Sequence, residues 1–307
     1  MSDLTQKQLE LLAGKVIVAS VSGGKDSAAM SLWLMEQGLP FRRVFADTGW
    51  EAPETLDYIR GPLQDKIGPI DWVKAEKGGM PELVVRKGMF PSRTRRFCTT
   101  ELKVFPLGKY MAALGVPIVS AVGIRAGESQ ARAKQLEWEP ADDTYGHDTL
   151  VWRPIHQRDE QWVIDQHTKH GLVPNPLYLR GASRVGCLPC IFAKKKEITF
   201  IADNYPERIQ QIRDLEAQAQ ATATARYEAK GETYESLGYS RPTFFQAPGK
   251  LRSEGKDGRV VPIDAVIRWS RTSRGGTQFE LFAPEQEAGC VRWGLCENAT
   301  DDEEVKP

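Results

Sequence analysis

The feature that most constrains this chain is VSGGKDSAAM, residues 21–30. It follows VIVASV, residues 16–21, whose unbroken apolar and β-branched run predicts a strand buried on both faces. It leads into helical apolar spacing at Ala28, Leu32, Leu34 and Met35, closed by Gly38. A strand that passes through paired glycines straight into a helix aims backbone N–H groups and the positive end of the helix at one point, which suits an anion. Gly23 and Gly24 let the backbone approach that anion closely, while Ser22, Lys25, Asp26 and Ser27 add hydroxyls, a cation and a carboxylate. The spacing differs from GxxxxGK[ST], so this is a phosphate cradle of another kind.

The rest of the first half repeats the alternation of strand and helix. Strands are predicted over residues 41–46, 70–75 and 116–124, with a helix entered at Pro53 between the first two. This is an α/β pattern and predicts a doubly wound, mostly parallel sheet whose ligands sit at the carboxyl ends of the strands. The loops after Val21, Ala46, Ala75 and Val122 therefore carry the candidate site. Asp47, Thr48 and Gly49 follow the second strand; Asp47 reads as a nucleotide or Mg2+ contact, or else as part of a helix cap, a role open to Thr48 or Glu51 as well. Gly123, Arg125 and Arg132 follow the fourth strand, and the arginines suit bidentate oxyanion contacts; for Arg132 an i,i+4 pair with Glu128 is the alternative. Beyond Val151 the pattern changes to a short amphipathic helix ended by Gly171, a loop over 173–186, a long helix over 205–230, an irregular stretch over 246–278 and a strand signal over 277–282. Two units are expected: residues 1–200, carrying nucleotide and cysteine sites, and residues 201–307, a helical and irregular extension.

The 41 Lys+Arg balance 41 Asp+Glu, but the zero net charge is an average. Arg86, Lys87, Arg93, Arg95, Arg96, Lys103 and Lys109 form one basic tract around Cys98. Arg180, Arg184, Lys194, Lys195 and Lys196 form another around Cys187 and Cys190, and the carboxyl end is acidic. Such tracts suit an anionic substrate, nucleic acid included. Five cysteines, an odd and thin count, argue against a disulfide scaffold and for a reducing, cytoplasmic setting. No apolar run is long enough for a membrane span, and the amino terminus lacks the apolar core of a signal peptide. Nearby cations are expected to lower the thiol pKa values. Cys98 with the C-x-x-C pair Cys187 and Cys190 can form a metal site: an iron–sulfur cluster, or Zn2+ if a fourth thiolate joins, with Cys290 and Cys296 as candidates for that place or as a mobile nucleophile. His147, His156, His167 and His170 show no metal-ligand spacing.

Together SGGKDS, FADTGWEAPET, RRFCTTELKVFPL, GIRAGES, VWRPI and NPLYLRGASRVGCLPC, in that order over residues 15–200, resemble the phosphoadenylyl sulfate (PAPS) reductase family. The loop itself resembles the pyrophosphate-binding loop of the ATP-pyrophosphatase superfamily, of adenine-nucleotide α-hydrolase-like fold. The resemblance implies an adenylyl nucleotide in the crevice and, as in many members, a 4Fe-4S cluster. This chain departs from cluster-bearing reductases: Phe97 precedes Cys98 where they have paired cysteines, and Gly294, Leu295, Cys296 and Glu297 stand where they carry a Glu-Cys-Gly-Leu-His type ending. Its phosphate loop is intact, which favours ATP over a sulfonucleotide and likens it to the DNA-phosphorothioation sulfur-transfer protein and to tRNA-thiolating enzymes. The leading expectation is ATP cleavage to AMP and pyrophosphate with sulfur delivered at Cys98, Cys187 and Cys190, supplied by a sulfur or thiol donor protein. Lys25, with Asp26 beside it, would act on the developing charge. The alternatives are a PAPS or adenylyl sulfate reductase, with Cys296 or Cys290 attacking sulfur, and a catalytically silent nucleic-acid-binding subunit. The sequence leaves the oligomeric state open.

Overall fold

A computed structural model describes residues 4–141, 149–234, 236–238, 241–245, 261–272 and 293. Its centre is a sheet of β1 (Val16–Val21), β2 (Phe41–Asp47), β3 (Asp71–Lys74), β4 (Ile118–Val122), β5 (Trp138–Pro140) and β6 (Thr149–Trp152). The strand order is β3-β2-β1-β4-β6-β5. Every pairing is parallel except that of β5 with β6. The expected α/β sheet is therefore present. β5 and β6 were not anticipated, because three and four residues are too short to show a period.

The alternation of side chains along β1 explains why the sheet is covered on both faces. Ile17, Ala19 and Val21 enter the cores on one face, with Met30, Leu32 and Trp33 of the helix Lys25–Glu36. Val18 points to the other face, among Val44, Leu107 and Met111. The helix Lys25–Glu36 is buried nearly throughout rather than on one stripe, because the helix Glu160–Lys169 closes over its outer side. The order of connection reverses between β1 and β4, which opens a crevice at their carboxyl ends, between the loops that begin at Ser22 and Gly123.

A further apolar core joins the two halves of the chain. Trp50, Leu83 and Leu102 share it with Ile198, Ile212, Leu215, Phe244 and Ile263. The helix Pro206–Glu228 supplies Ile209, Ile212, Leu215, Ala219 and Ala223 at helical spacing and lies over the helix Met80–Lys87. Gly88 makes that approach possible: its φ is +59°, and a Cβ there would stand 3.1 Å from the Ala223 nitrogen. The division expected at residue 200 falls inside the helix Lys195–Asn204. Part of the stretch expected to be irregular is the helix Ile263–Ser270, whose apolar residues pack into this core, and the loop expected over 173–186 holds the short helix Pro176–Leu179. The strand signal over 277–282, His147, Cys290, Cys296 and the acidic end lie outside the described residues. Among the described residues no helix is long and apolar enough to cross a membrane.

Candidate active site

The loop after β1 is closed by its own hydroxyls. Ser27 Oγ accepts from the Ser22 N–H at 3.1 Å, donates to the Gly24 carbonyl at 3.1 Å and lies 3.1 Å from Ser22 Oγ. Gly23 holds φ +71°, and a Cβ there would meet Thr55 Cγ2 at 2.8 Å. Gly123 is equally constrained: a Cβ would stand 2.8 Å from Ser27 Cα, so its part is to let the end of β4 close on the loop.

Residues lying 142 to 153 positions downstream hold the loop from above. The Lys25 N–H donates to Tyr178 Oη at 3.2 Å, and the Lys25 ammonium lies 5.0 Å from the centre of that ring. Asn175 Nδ2 donates to the Gly23 carbonyl at 3.1 Å, and His167 Nε2 lies 3.1 Å from the Lys25 carbonyl. Burial holds the His167 pKa below its ordinary value, against the pull of its two carbonyl contacts. Trp293 packs edge-on to His167 and against Tyr178, with ring centres 5.1 and 5.7 Å away. None of these four was singled out from sequence, since no local pattern announces a contact made through tertiary packing.

The charges are arranged in a chain. The Lys25 ammonium is buried, 3.3 Å from Glu160 Oε1 and 3.9 Å from Asp26 Oδ2. The other Asp26 oxygen pairs with buried Arg125 Nε. Arg125, expected to face an oxyanion, is thus already committed to Asp26. Arg132 makes the i,i+4 pair with Glu128.

The loop after β2 faces the thiols. Asp47 Oδ1 accepts from the Gly49 N–H at 2.9 Å. Gly49 has φ +65°, and Met80 N–H donates to the Thr48 carbonyl at 2.8 Å. Glu51 does not cap the next helix, whose N-cap is Ala52, and neither does Thr48. Its buried carboxylate turns back instead, accepting from Thr48 Oγ1 at 2.7 Å and from the Thr48 and Trp50 N–H groups. Glu51 also bridges to Cys187 through the backbone, and Leu188 N–H donates to the Trp50 carbonyl at 2.8 Å. Thr48 Oγ1 lies 3.8 Å from Cys187 Sγ.

Cys98, Cys187 and Cys190 are free thiols that all act on buried Lys103, whose ammonium is held above its ordinary pKa by Cys187 first, then by Glu51 and the other two thiols, against the opposing effect of burial. The expectation that cations lower the thiol pKa values is corrected here. Burial pushes both Cys98 and Cys187 up, and for Cys187 the opposing pull of Lys103 is the smaller effect. Among the described residues no three His, Cys, Asp or Glu side chains come together closely enough to hold a metal ion. The three described thiols by themselves therefore do not fit a closed cluster or Zn2+ site, and the reaction proposed for the protein is not routed through such a group.

This architecture, with its glycine loop at the switch point of a mostly parallel sheet, defines a doubly wound α/β protein. Residues 16–193 match the phosphoadenosine phosphosulfate reductase domain, and the chain belongs to that family. It is 33% identical to an uncharacterised 37.8 kDa protein of Escherichia phage 186, over 91% of this chain and 96% of that one. It is 26% identical to the adenosine 5'-phosphosulfate reductase of Deinococcus radiodurans, over 50% of this chain and 57% of that enzyme. A crystal structure of PAPS reductase from Candida auris in a phosphate complex aligns with 62% of this chain and 99% of that chain, at 17% identity and a TM-score of 0.47.

Proposed function

We propose that this protein is an ATP-dependent sulfurtransferase of the PAPS reductase family. The observation that carries the reading is the complete SGGKDS loop at the switch point, with its Lys25 ammonium buried beneath Tyr178. The N–H groups of the loop and the start of the helix Lys25–Glu36 would take the pyrophosphate portion of ATP. Asp47 is the carboxylate suited to hold Mg2+ against the phosphates, where the ion supplies charge neutralisation. An acceptor oxygen attacks the α-phosphorus and the bond to the bridging oxygen breaks. Pyrophosphate leaves, with Lys25 stabilising the charge that develops on it. Sulfide-level sulfur, brought by a donor protein to Cys98, Cys187 and Cys190, then attacks the carbon that bears the adenylated oxygen, and AMP departs. Raised pKa values at Cys98 and Cys187 suit thiols that stay protonated until the sulfur donor is bound.

A second reading, a sulfonucleotide reductase, is favoured by Trp293. This residue stands three positions after Cys290 and three before Cys296, and it packs on Tyr178 beside the loop. In that reading Cys290 or Cys296 attacks the sulfate sulfur and the nucleotide leaves. Anaerobic assay separates the two. The first expects pyrophosphate and AMP from ATP when acceptor is present; the second expects sulfite from adenylyl sulfate or PAPS with a thiol donor and no ATP. Failure to bind any adenylyl nucleotide overturns both. Iron, sulfide and zinc analysis of the same preparation decides whether the thiols also take a metal group.

A further inference from the structure

Beside the thiols lies a cationic surface that the nucleotide chemistry does not use. Ser92 Oγ accepts from the Arg95 N–H at 3.1 Å, and the Ser92 N–H donates to the Arg95 carbonyl at 3.1 Å. That tight turn presents Arg93, Arg95 and Arg96, all exposed, on one corner of the molecule. Arg93 and Arg96 lie over the half-exposed ring of Phe192, at 5.9 and 5.2 Å from its centre. Lys194 and Lys196 follow on the same segment and are exposed.

These five cations make no ion pair with a described residue, whereas the neighbouring acids are taken. Glu101 pairs with Arg86 and Lys87, and Glu197 accepts from Ser183 Oγ and the Lys194 N–H and lies 3.9 Å from Arg184. An intramolecular role would match these arginines with carboxylates; their isolation points outward to an anion. The chain ties the surface to the thiols on both sides. Phe192 is two residues after Cys190, across a turn closed by Ala193 N–H on the Cys190 carbonyl at 2.9 Å. Arg96 is two residues before Cys98 and is the N-cap of the short helix Phe97–Thr99 that carries it.

We infer that this corner docks a single-stranded polynucleotide and so presents the acceptor to the thiols. Guanidinium groups beside a half-exposed aromatic ring offer flat faces on which an unstacked base can lie, and the flanking cations follow the phosphates. A duplex keeps its bases stacked inside and would use the cations alone. The inference rests on the sulfur-transfer reading for its purpose, but its test does not need turnover.

The test is fluorescence anisotropy of the full-length protein with labelled 20-nucleotide single strands of RNA and of DNA and with the corresponding duplex, over a salt series. Tight binding to one or both single strands, weaker binding to duplex, and a loss of about tenfold or more in an Arg93→Ala, Arg95→Ala, Arg96→Ala variant are expected, with a shallower salt dependence by about 2 in log–log slope. Phe192→Leu should weaken single-strand binding about fivefold or more and leave duplex binding nearly unchanged. A Lys7→Ala, Lys230→Ala control, which removes exposed charge elsewhere, should bind as the parent does. Equal affinity for duplex and single strands, no binding at low salt, or stronger binding of poly-glutamate lost in the same variants would overturn the inference, the last marking a surface for an acidic protein. Pyrophosphate release from ATP by the same preparation reports on the sulfur-transfer reading separately, so the two can fail independently.

Discussion

Lys25 is an ammonium with a carboxylate, a phenol ring and a second ion pair arranged around it, and the cost of disturbing that arrangement can be argued atom by atom. Asp26→Asn leaves buried Arg125 without its counter-charge, which costs about 3 kcal/mol and is read as a lowered urea midpoint. Gly23→Ala forces a side chain into a left-handed φ against Thr55, so it should lose about 1–3 kcal/mol of stability and weaken nucleotide binding together. At the thiols, Lys103→Met removes the strongest cationic pull on Cys187, so alkylation of Cys187 at pH 8, followed by mass spectrometry, should slow. Faster labelling would show that Lys103 does not act on the thiol. The residues of the loop were legible in sequence because their chemistry is local: glycines, hydroxyls and a lysine between a strand and a helix. Tyr178, His167 and Asn175 were not, since they reach the loop only when the helix Glu160–Lys169 and the segment after it fold over the helix Lys25–Glu36. The direction of the thiol pKa shift was misread for a related reason: neighbouring cations can be counted in a sequence, and burial cannot.

The helix Pro206–Glu228 shows what an element adds that its residues alone do not. Its buried Glu216 accepts the N–H groups of Phe244 at 2.9 Å and Ile263 at 3.2 Å, so one carboxylate joins three segments of the C-terminal half. Burial pushes the Glu216 pKa above its ordinary value near 4.5, the two N–H contacts opposing. A raised folded-state pKa means that the folded protein holds this proton more tightly than the unfolded chain. The resulting stability is fully present below pH 4.5 and is lost as pH rises through the raised value. Urea midpoints measured from pH 4 upward should therefore contain a falling component that Glu216→Ala removes, while lowering stability throughout. A pH dependence identical in the variant would assign the falling component to other groups. The length of this helix was readable from the Gln- and Ala-rich run from Tyr205 to Lys230, while its buried stripe was not. The helix Ile263–Ser270 was not, because its surroundings are rich in Gly, Arg and Ser and mask eight residues whose helicity depends on the core they enter.

At the scale of the whole molecule, β1 and its neighbours set where the loops emerge, and those loops bring two kinds of chemistry to one end of the sheet. The order β3-β2-β1-β4 puts the glycine loop and Arg125 on either side of the crevice, while the loop after β2 reaches the C-x-x-C segment through Glu51, Trp50 and Thr48. The α/β class and the crevice followed from alternating patterns, but the pairing of Glu51 with Cys187 did not, because it joins segments far apart in the chain. Leu102→Ala tests how far that pairing depends on the shared core. A buried leucine lost there should cost about 2–5 kcal/mol and loosen the C-terminal half with the thiol segment, seen as faster amide exchange across residues 187–230. In the reading proposed for this protein, the loop after β1 binds the phosphates of ATP through Lys25. Calorimetric titration of an ATP analogue with a methylene bridge between the α and β phosphates, with Mg2+ present, tests it most directly, comparing the parent protein with a folded Lys25→Met variant. Binding by the parent with a loss of about tenfold or more in the variant is predicted; absence of binding, or equal affinity in both proteins, would contradict it.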